Sequence, residues 1–169
     1  MTTANKITIL RVILVPFFMV SLYTEHLYLA FVIYIIACIS DSADGYIARK
    51  FNQISNFGKF MDPLADKMLV ISAMCYFVEV SRMPGWVLAI ICFREFAVAG
   101  LRMLSAEKQL VIAAAFSGKF KTASTMVGLA AMLIFKNTVL DTIVWIIILI
   151  TTVYSGIEYF IKNKGVFKV

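Results

Sequence analysis

The sequence predicts an all-α integral membrane protein with six transmembrane helices, both termini cytoplasmic, and a single domain over 1–169. Three observations carry this. Of 169 residues, 62% are hydrophobic and mean hydropathy is +0.89, well above the roughly 45–50% apolar usage of soluble domains. The apolar residues form continuous runs near the length of about 20 that a span requires, not the ten-residue alternation of barrel strands. The basic residues, finally, are one-sided. Short polar breaks at 24–26, 52–56, 81–85, 106–109 and 136–141 leave segments 6–23, 27–50, 58–80, 86–105, 118–135 and 142–161.

The first segment carries Arg11 and Pro16 and has no A-x-A site after it, so it is expected to be a retained span and not a cleaved signal. Asn5, Thr8 and Arg11 recur every three residues and present polar groups from one side of this helix. Substrate contact and anchoring at the membrane interface are both open to them. The second segment enters near His26 and ends near Lys50. Asp41 and Asp44 then lie roughly 14 and 9 Å before its end, at about 1.5 Å per residue. The third carries Asp62 and Asp66, and the fourth begins at the interface marker Trp86. Arg94 lies eight residues beyond Trp86, about 12 Å into the bilayer. Glu95 beside it is not expected to share its face, so Arg94 needs another internal partner or an anionic ligand. The fifth segment opens with Lys119, Lys121 and Thr122, and the sixth is followed by Lys162, Lys164 and Lys168.

Fourteen Lys and Arg residues belong to or lie nearest one face, and only Arg82 and Lys136 to the other. The positive-inside rule places that richer face, with both termini and the 41–67 stretch, in the cytoplasm. The net charge of +6 is therefore assigned to membrane orientation; no nucleic-acid partner is expected, because the cations interleave with apolar runs. Cys38, Cys75 and Cys92 have neither CxxC nor His-rich spacing and suggest neither a disulfide framework nor a zinc site.

Four of the ten acidic residues, Asp41, Asp44, Asp62 and Asp66, fall within 26 positions. Each pair has the i, i+3 or i, i+4 spacing that aligns it on one helical face. Acids inside a membrane cost several kcal/mol each unless compensated, so a cation is expected. An all-oxygen donor set favours Mg²⁺ or Mn²⁺, with enough oxygens for two ions. Such ions suit a diphosphate substrate, whose charge they neutralise. Gly45 and Ala48 leave the helix surface flat enough for a cytidine ring or diphosphate to approach, and Arg49 offers a fork of donors. Helix packing for the first two and interfacial snorkelling for Arg49 are the alternatives.

The pattern D-x-x-D-G-x-x-A-R-x8-G-x3-D-x3-D is met at Asp41, Asp44, Gly45, Ala48, Arg49, Gly58, Asp62 and Asp66. It resembles the signature of the CDP-alcohol phosphotransferase family. N-K-I-T-I-L-R at 5–11, R-E-F-A-V-A-G-L-R at 94–102, S-G-K-F-K-T at 117–122 and Y-S-G at 154–156 resemble its bacterial phosphatidylglycerophosphate-forming branch. The resemblance implies that Asp41, Asp44 and Asp62 hold two metal ions, with Asp66 completing the site and acting as general base. It implies CDP binding at Gly45, Ala48, Arg49, Gly58, Asn5 and Thr8. Arg94, Lys119, Lys121, Thr122 and Arg11 are the candidates for the acceptor's phosphate, although positive-inside topology alone also accounts for the lysines and a local backbone bond for Thr122.

The implied reaction moves a phosphatidyl group from CDP-diacylglycerol to sn-glycerol 3-phosphate at the cytoplasmic face of a bacterial cell membrane, in a homodimer within the lipid bilayer. Serine, inositol phosphate or phosphatidylglycerol are the alternative acceptors. A divalent-cation transporter would also use intramembrane acids, but it leaves Gly45, Ala48 and Arg49 without a role.

Overall fold

The expected breaks at 24–26, 81–85 and 136–141 are made by residues that turn the backbone or cap a helix. The computed structural model describes residues 3–50, 56–107 and 116–163; within these, the side chains of 3–8, 41–50, 56–64, 66 and 106–107 are not described. The described chain forms six helices: α1 (Thr3–Tyr23), α2 (Leu27–Lys50), α3 (Asn56–Glu79), α4 (Gly85–Glu107), α5 (Phe116–Ile134) and α6 (Thr138–Lys162). The break expected at 52–56 and part of that at 106–109 lie outside the described residues.

Glu25 closes the α1–α2 turn with a left-handed φ of 59°, and His26 N donates to Ser21 O at 3.0 Å. Ser81 does the same after α3, so that Arg82 N and Met83 N both reach Phe77 O, at 2.8 and 3.0 Å. Before α6, Asn137 Oδ1 accepts from Val139 N at 2.9 Å and Leu140 N at 3.2 Å. This cap satisfies amides that a helix start leaves bare. It starts α6 at Thr138, four residues ahead of the expected 142, and puts Asp141 in the first turn. An aspartate expected in a polar break is instead buried, at 4% exposure.

The three described turns meet at one end of the bundle. Tyr23 Oη donates to the Glu79 carboxylate. Arg82 donates from Nε and Nη2 to Asp141 Oδ2 and Oδ1, both at 2.7 Å, and from Nη2 to Phe135 O at 2.7 Å. The guanidinium also lies 5.0 Å from the Phe77 ring centroid. The opposite end therefore gathers the starts of α1, α3 and α5 and the ends of α2, α4 and α6.

α3 touches α1, α2, α4 and α5, while α6 packs on α4 and α5. The main core draws Phe18 and Leu22 from α1, Tyr34 from α2, Phe77 from α3, Ile91 from α4, Leu129 from α5 and Ile148 from α6. α5 and α6 cross closely: a Cβ at Gly128 would sit 2.7 Å from Val144 Cγ1. Large apolar side chains such as Phe17, Phe93 and Ile150 point outward.

Among the described residues, α6 is the helix long and apolar enough to cross a membrane; the apolar parts of α1 and α2, Ile9–Tyr23 and Leu27–Ser40, are shorter. The shortfall has a simple cause. Apart from Glu79, α2 to α5 carry their charged residues, from Asp41 and Asp44 to Arg94, Glu95 and Lys121, inside the helices and towards the same end of the bundle.

Candidate active site

The helix register leads from the core to the four aspartates. On α2, Ala30, Tyr34 and Ala37 are fully buried, and the same alternation of four and three residues continues to positions 41 and 44. On α3, Phe77, Ala73 and Leu69 are buried, and the spacing continued backwards reaches 66 and 62. Residues so spaced share a helical stripe, and α2 contacts α3. The side chains of Asp41, Asp44, Asp62, Asp66, Gly45, Ala48, Arg49 and Gly58, and those of Asn5 and Thr8, lie outside the described residues. As a donor set, four carboxylates without His or Cys suit a hard divalent ion. Among the described residues, no other group of His, Cys, Asp or Glu could hold a metal.

Next to Asp66 in the chain, Lys67 begins a basic cluster. Its Nζ lies 3.7 Å from Glu95 Oε2. Glu95 Oε1 accepts from Lys121 Nζ at 2.6 Å and from Arg94 Nη1 at 2.8 Å. Three cations from α3, α4 and α5 thus converge on one carboxylate. The expectation that Glu95 stands apart from Arg94 is corrected. Successive helical residues diverge by about 100° at 3.6 residues per turn, but the flexible arginine side chain reaches back far enough to close the pair.

Arg94 has a second anchor: its Nη2 donates to Ser155 Oγ at 2.9 Å. The neighbouring Gly156 makes room, since a Cβ there would lie 3.1 Å from Arg94 Cγ. The Y-S-G motif therefore acts on the fourth helix, with a hydroxyl for the arginine and a gap for its stem. A cleft of about 40 Å³ opens beside the cluster, lined by Lys67, Glu95, Lys121, Thr122 and Thr125 among others.

The remaining candidates separate. Lys121 is buried at 7% exposure, whereas Lys119 is exposed, two residues or about 200° around α5, and makes no ion pair among the described residues. Thr122 lines the cleft, with its Oγ1 donating to Gly118 O at 3.0 Å. Arg11 is buried, at 1% exposure, on the stripe that leads to Phe18 and Leu22, so its side chain lies inside the bundle and not at a water interface. Sequence reasoning assigned no role to Glu95, Ser155 or Gly156, although all three stand within the quoted R-E-F and Y-S-G motifs.

A model of the CDP-alcohol phosphatidyltransferase family matches residues 1–154. The chain is 39% identical, over 182 residues covering 94% of it and 93% of the relative, to the CDP-diacylglycerol--glycerol-3-phosphate 3-phosphatidyltransferase of Bacillus subtilis. Proteins of the same name from Haemophilus influenzae and Salmonella typhimurium are each 35% identical over 170 residues, covering 94% of this chain and 91% and 93% of their own. The matched span takes in the aspartate motif on α2 and α3 and the cations of Lys67, Arg94 and Lys121, so the site and the similarity coincide: the chain belongs to the CDP-alcohol phosphatidyltransferase family.

Proposed function

We propose that this chain transfers the phosphatidyl group of CDP-diacylglycerol to sn-glycerol 3-phosphate, giving phosphatidylglycerol phosphate and CMP. It does so as a six-span enzyme of the bacterial cell membrane, homodimeric, with both termini and the active site on the cytoplasmic side. The relatives that carry this activity in their names match nearly the full chain. The observation that favours a phosphorylated acceptor is the position of Lys67: it follows Asp66 directly and shares Glu95 with Arg94 and Lys121. The last aspartate of the motif and a cationic cleft are thus neighbours on α3.

In the proposed reaction the acceptor hydroxyl oxygen bonds to the β-phosphorus of CDP-diacylglycerol, and the bond from that phosphorus to the CMP oxygen breaks. Asp66 takes the hydroxyl proton, since an alcohol is too weakly acidic to attack unaided. Asp41, Asp44, Asp62 and Asp66 would hold two Mg²⁺ or Mn²⁺ ions, which supply charge neutralisation to the diphosphate and the departing CMP. Gly45, Ala48, Arg49 and Gly58, with Asn5 and Thr8, receive the cytidine diphosphate. Arg94 and Lys121, with Lys67 beside them, hold the acceptor's phosphate by charge-assisted hydrogen bonds. Exposed apolar side chains on the outer helix faces keep the enzyme in the bilayer, where the donor's acyl chains stay. A soluble enzyme would have to extract them.

Purified protein in detergent, given CDP-diacylglycerol and Mg²⁺ and offered each acceptor separately, is expected to release CMP with glycerol 3-phosphate. No release with any acceptor would overturn the enzyme assignment. Release with serine alone would overturn the acceptor.

A further inference from the structure

Lys121 and Arg94 share one oxygen of Glu95, at 2.6 and 2.8 Å, and Lys67 faces the other at 3.7 Å. We propose that Glu95 is a positioning residue for the acceptor: it aligns Lys67 and Lys121, which line the cleft with it, and Arg94, held on the same carboxylate, and trims their charge to that of a phosphate dianion. This rests on the reading of the cleft as the acceptor's phosphate site.

Charge and donor supply both point this way. Among the described residues, three cations against one carboxylate leave a net +2, which a phosphomonoester near −2 neutralises and an uncharged acceptor does not. Without the carboxylate, three like charges a few ångströms apart would repel one another in a poorly screened site. Glu95 also leaves donors to spare. A lysine has three N–H donors and an arginine five; Lys121 commits one to Glu95, and Arg94 commits one to Glu95 and one to Ser155. The cations can therefore keep Glu95 and still bind phosphate oxygens, so the carboxylate acts as a brace and is not a competitor to be displaced.

The test compares Glu95→Gln and Glu95→Asp with the wild type, full-length in detergent, by CMP release with each substrate varied in turn. Glu95→Gln is expected to raise the acceptor KM about tenfold or more, the equivalent of one charge-assisted hydrogen bond, with the donor KM held within about twofold. Glu95→Asp, which keeps the charge on a shorter stem, is expected to recover most of the loss. A purely structural Glu95 would lower thermal stability in both variants and leave both KM values unmoved; that result, or an equal rise in both KM values, overturns the proposal. Should Glu95→Gln not fold, Glu95→Asp decides: a smaller rise confined to the acceptor supports the brace, and no rise refutes it. Calorimetric binding of inorganic phosphate involves no turnover and separates this idea from the proposed reaction. About tenfold weaker binding by Glu95→Gln supports the brace even if no acceptor releases CMP, and equal binding refutes it even if glycerol 3-phosphate does.

Discussion

Gly156→Ala probes the proposed acceptor pocket through a residue packed against the Arg94 stem. The new Cβ would lie 3.1 Å from Arg94 Cγ, so the arginine stem must retreat by a few tenths of an ångström, towards the roughly 3.5–4.0 Å that carbon atoms prefer. It cannot do so freely, because the guanidinium is held by Glu95 at 2.8 Å and Ser155 at 2.9 Å. A misplacement near 1 Å can cost about 100-fold in a positioned site, so about half that displacement should cost roughly tenfold, or about 1.4 kcal/mol. Initial rates of CMP release are expected to show the acceptor KM raised about 3- to 10-fold with the donor KM unchanged. Stability moves less: overpacking costs about 1–3 kcal/mol, and replacing a helical glycine by alanine returns about 0.5–1 kcal/mol. An unchanged acceptor KM together with a raised Tm would refute the reasoning, because alanine's helix preference would then be the whole effect.

Three further outcomes are expected. Arg82→Met strands the buried Asp141 carboxylate at a cost of about 3–5 kcal/mol, lowering Tm in detergent by about 6–20 °C at about 2–4 °C per kcal/mol for a chain of this size. The double variant Arg82→Met/Asp141→Leu should recover most of that, and a double variant as unstable as the single would count against the pair. Asp66→Asn should abolish CMP release while CDP-diacylglycerol still binds; near-normal turnover would remove Asp66 from the role of base. Chelation with EDTA should stop turnover and added Mg²⁺ or Mn²⁺ should restore it, whereas activity that persists after chelation would exclude a metal requirement.

The helices were legible because polar breaks interrupt long apolar runs, and the two turns with left-handed residues fall at Glu25 and Ser81, inside those breaks. The start of α6 was not. Asp141 looks like loop chemistry until Arg82, 59 residues earlier, supplies the partner that lets it enter a helix, and such a pairing leaves no local signal. The aspartate stripe rests on the sequence, where carboxylates at helical spacing in a greasy chain cost too much to be incidental; its side chains lie outside the described residues. Glu95 was missed because helix geometry separates neighbours at the backbone while long side chains converge beyond it. Ser155 and Gly156 could be seen as a motif, but their meaning depends on Arg94, which only the packing of α4 on α6 brings within reach.

The two ion-pair assemblies at opposite ends of the bundle differ in how their charges are matched. Arg82 and Asp141 are matched one to one, both carboxylate oxygens are taken, and the adjacent carbonyl of Phe135 uses a further donor. The charges cancel within the pair, and the clamp ties the α3–α4 turn to the start of α6. At the other end, among the described residues, one carboxylate serves three cations, and excess buried charge is costly unless an anion offsets it. A fold that needed only to neutralise Lys121 would not place Arg94 and Lys67 against the same carboxylate. The proposed acceptor phosphate is an anion that would balance this excess, and Lys67 stands next to Asp66 in the chain.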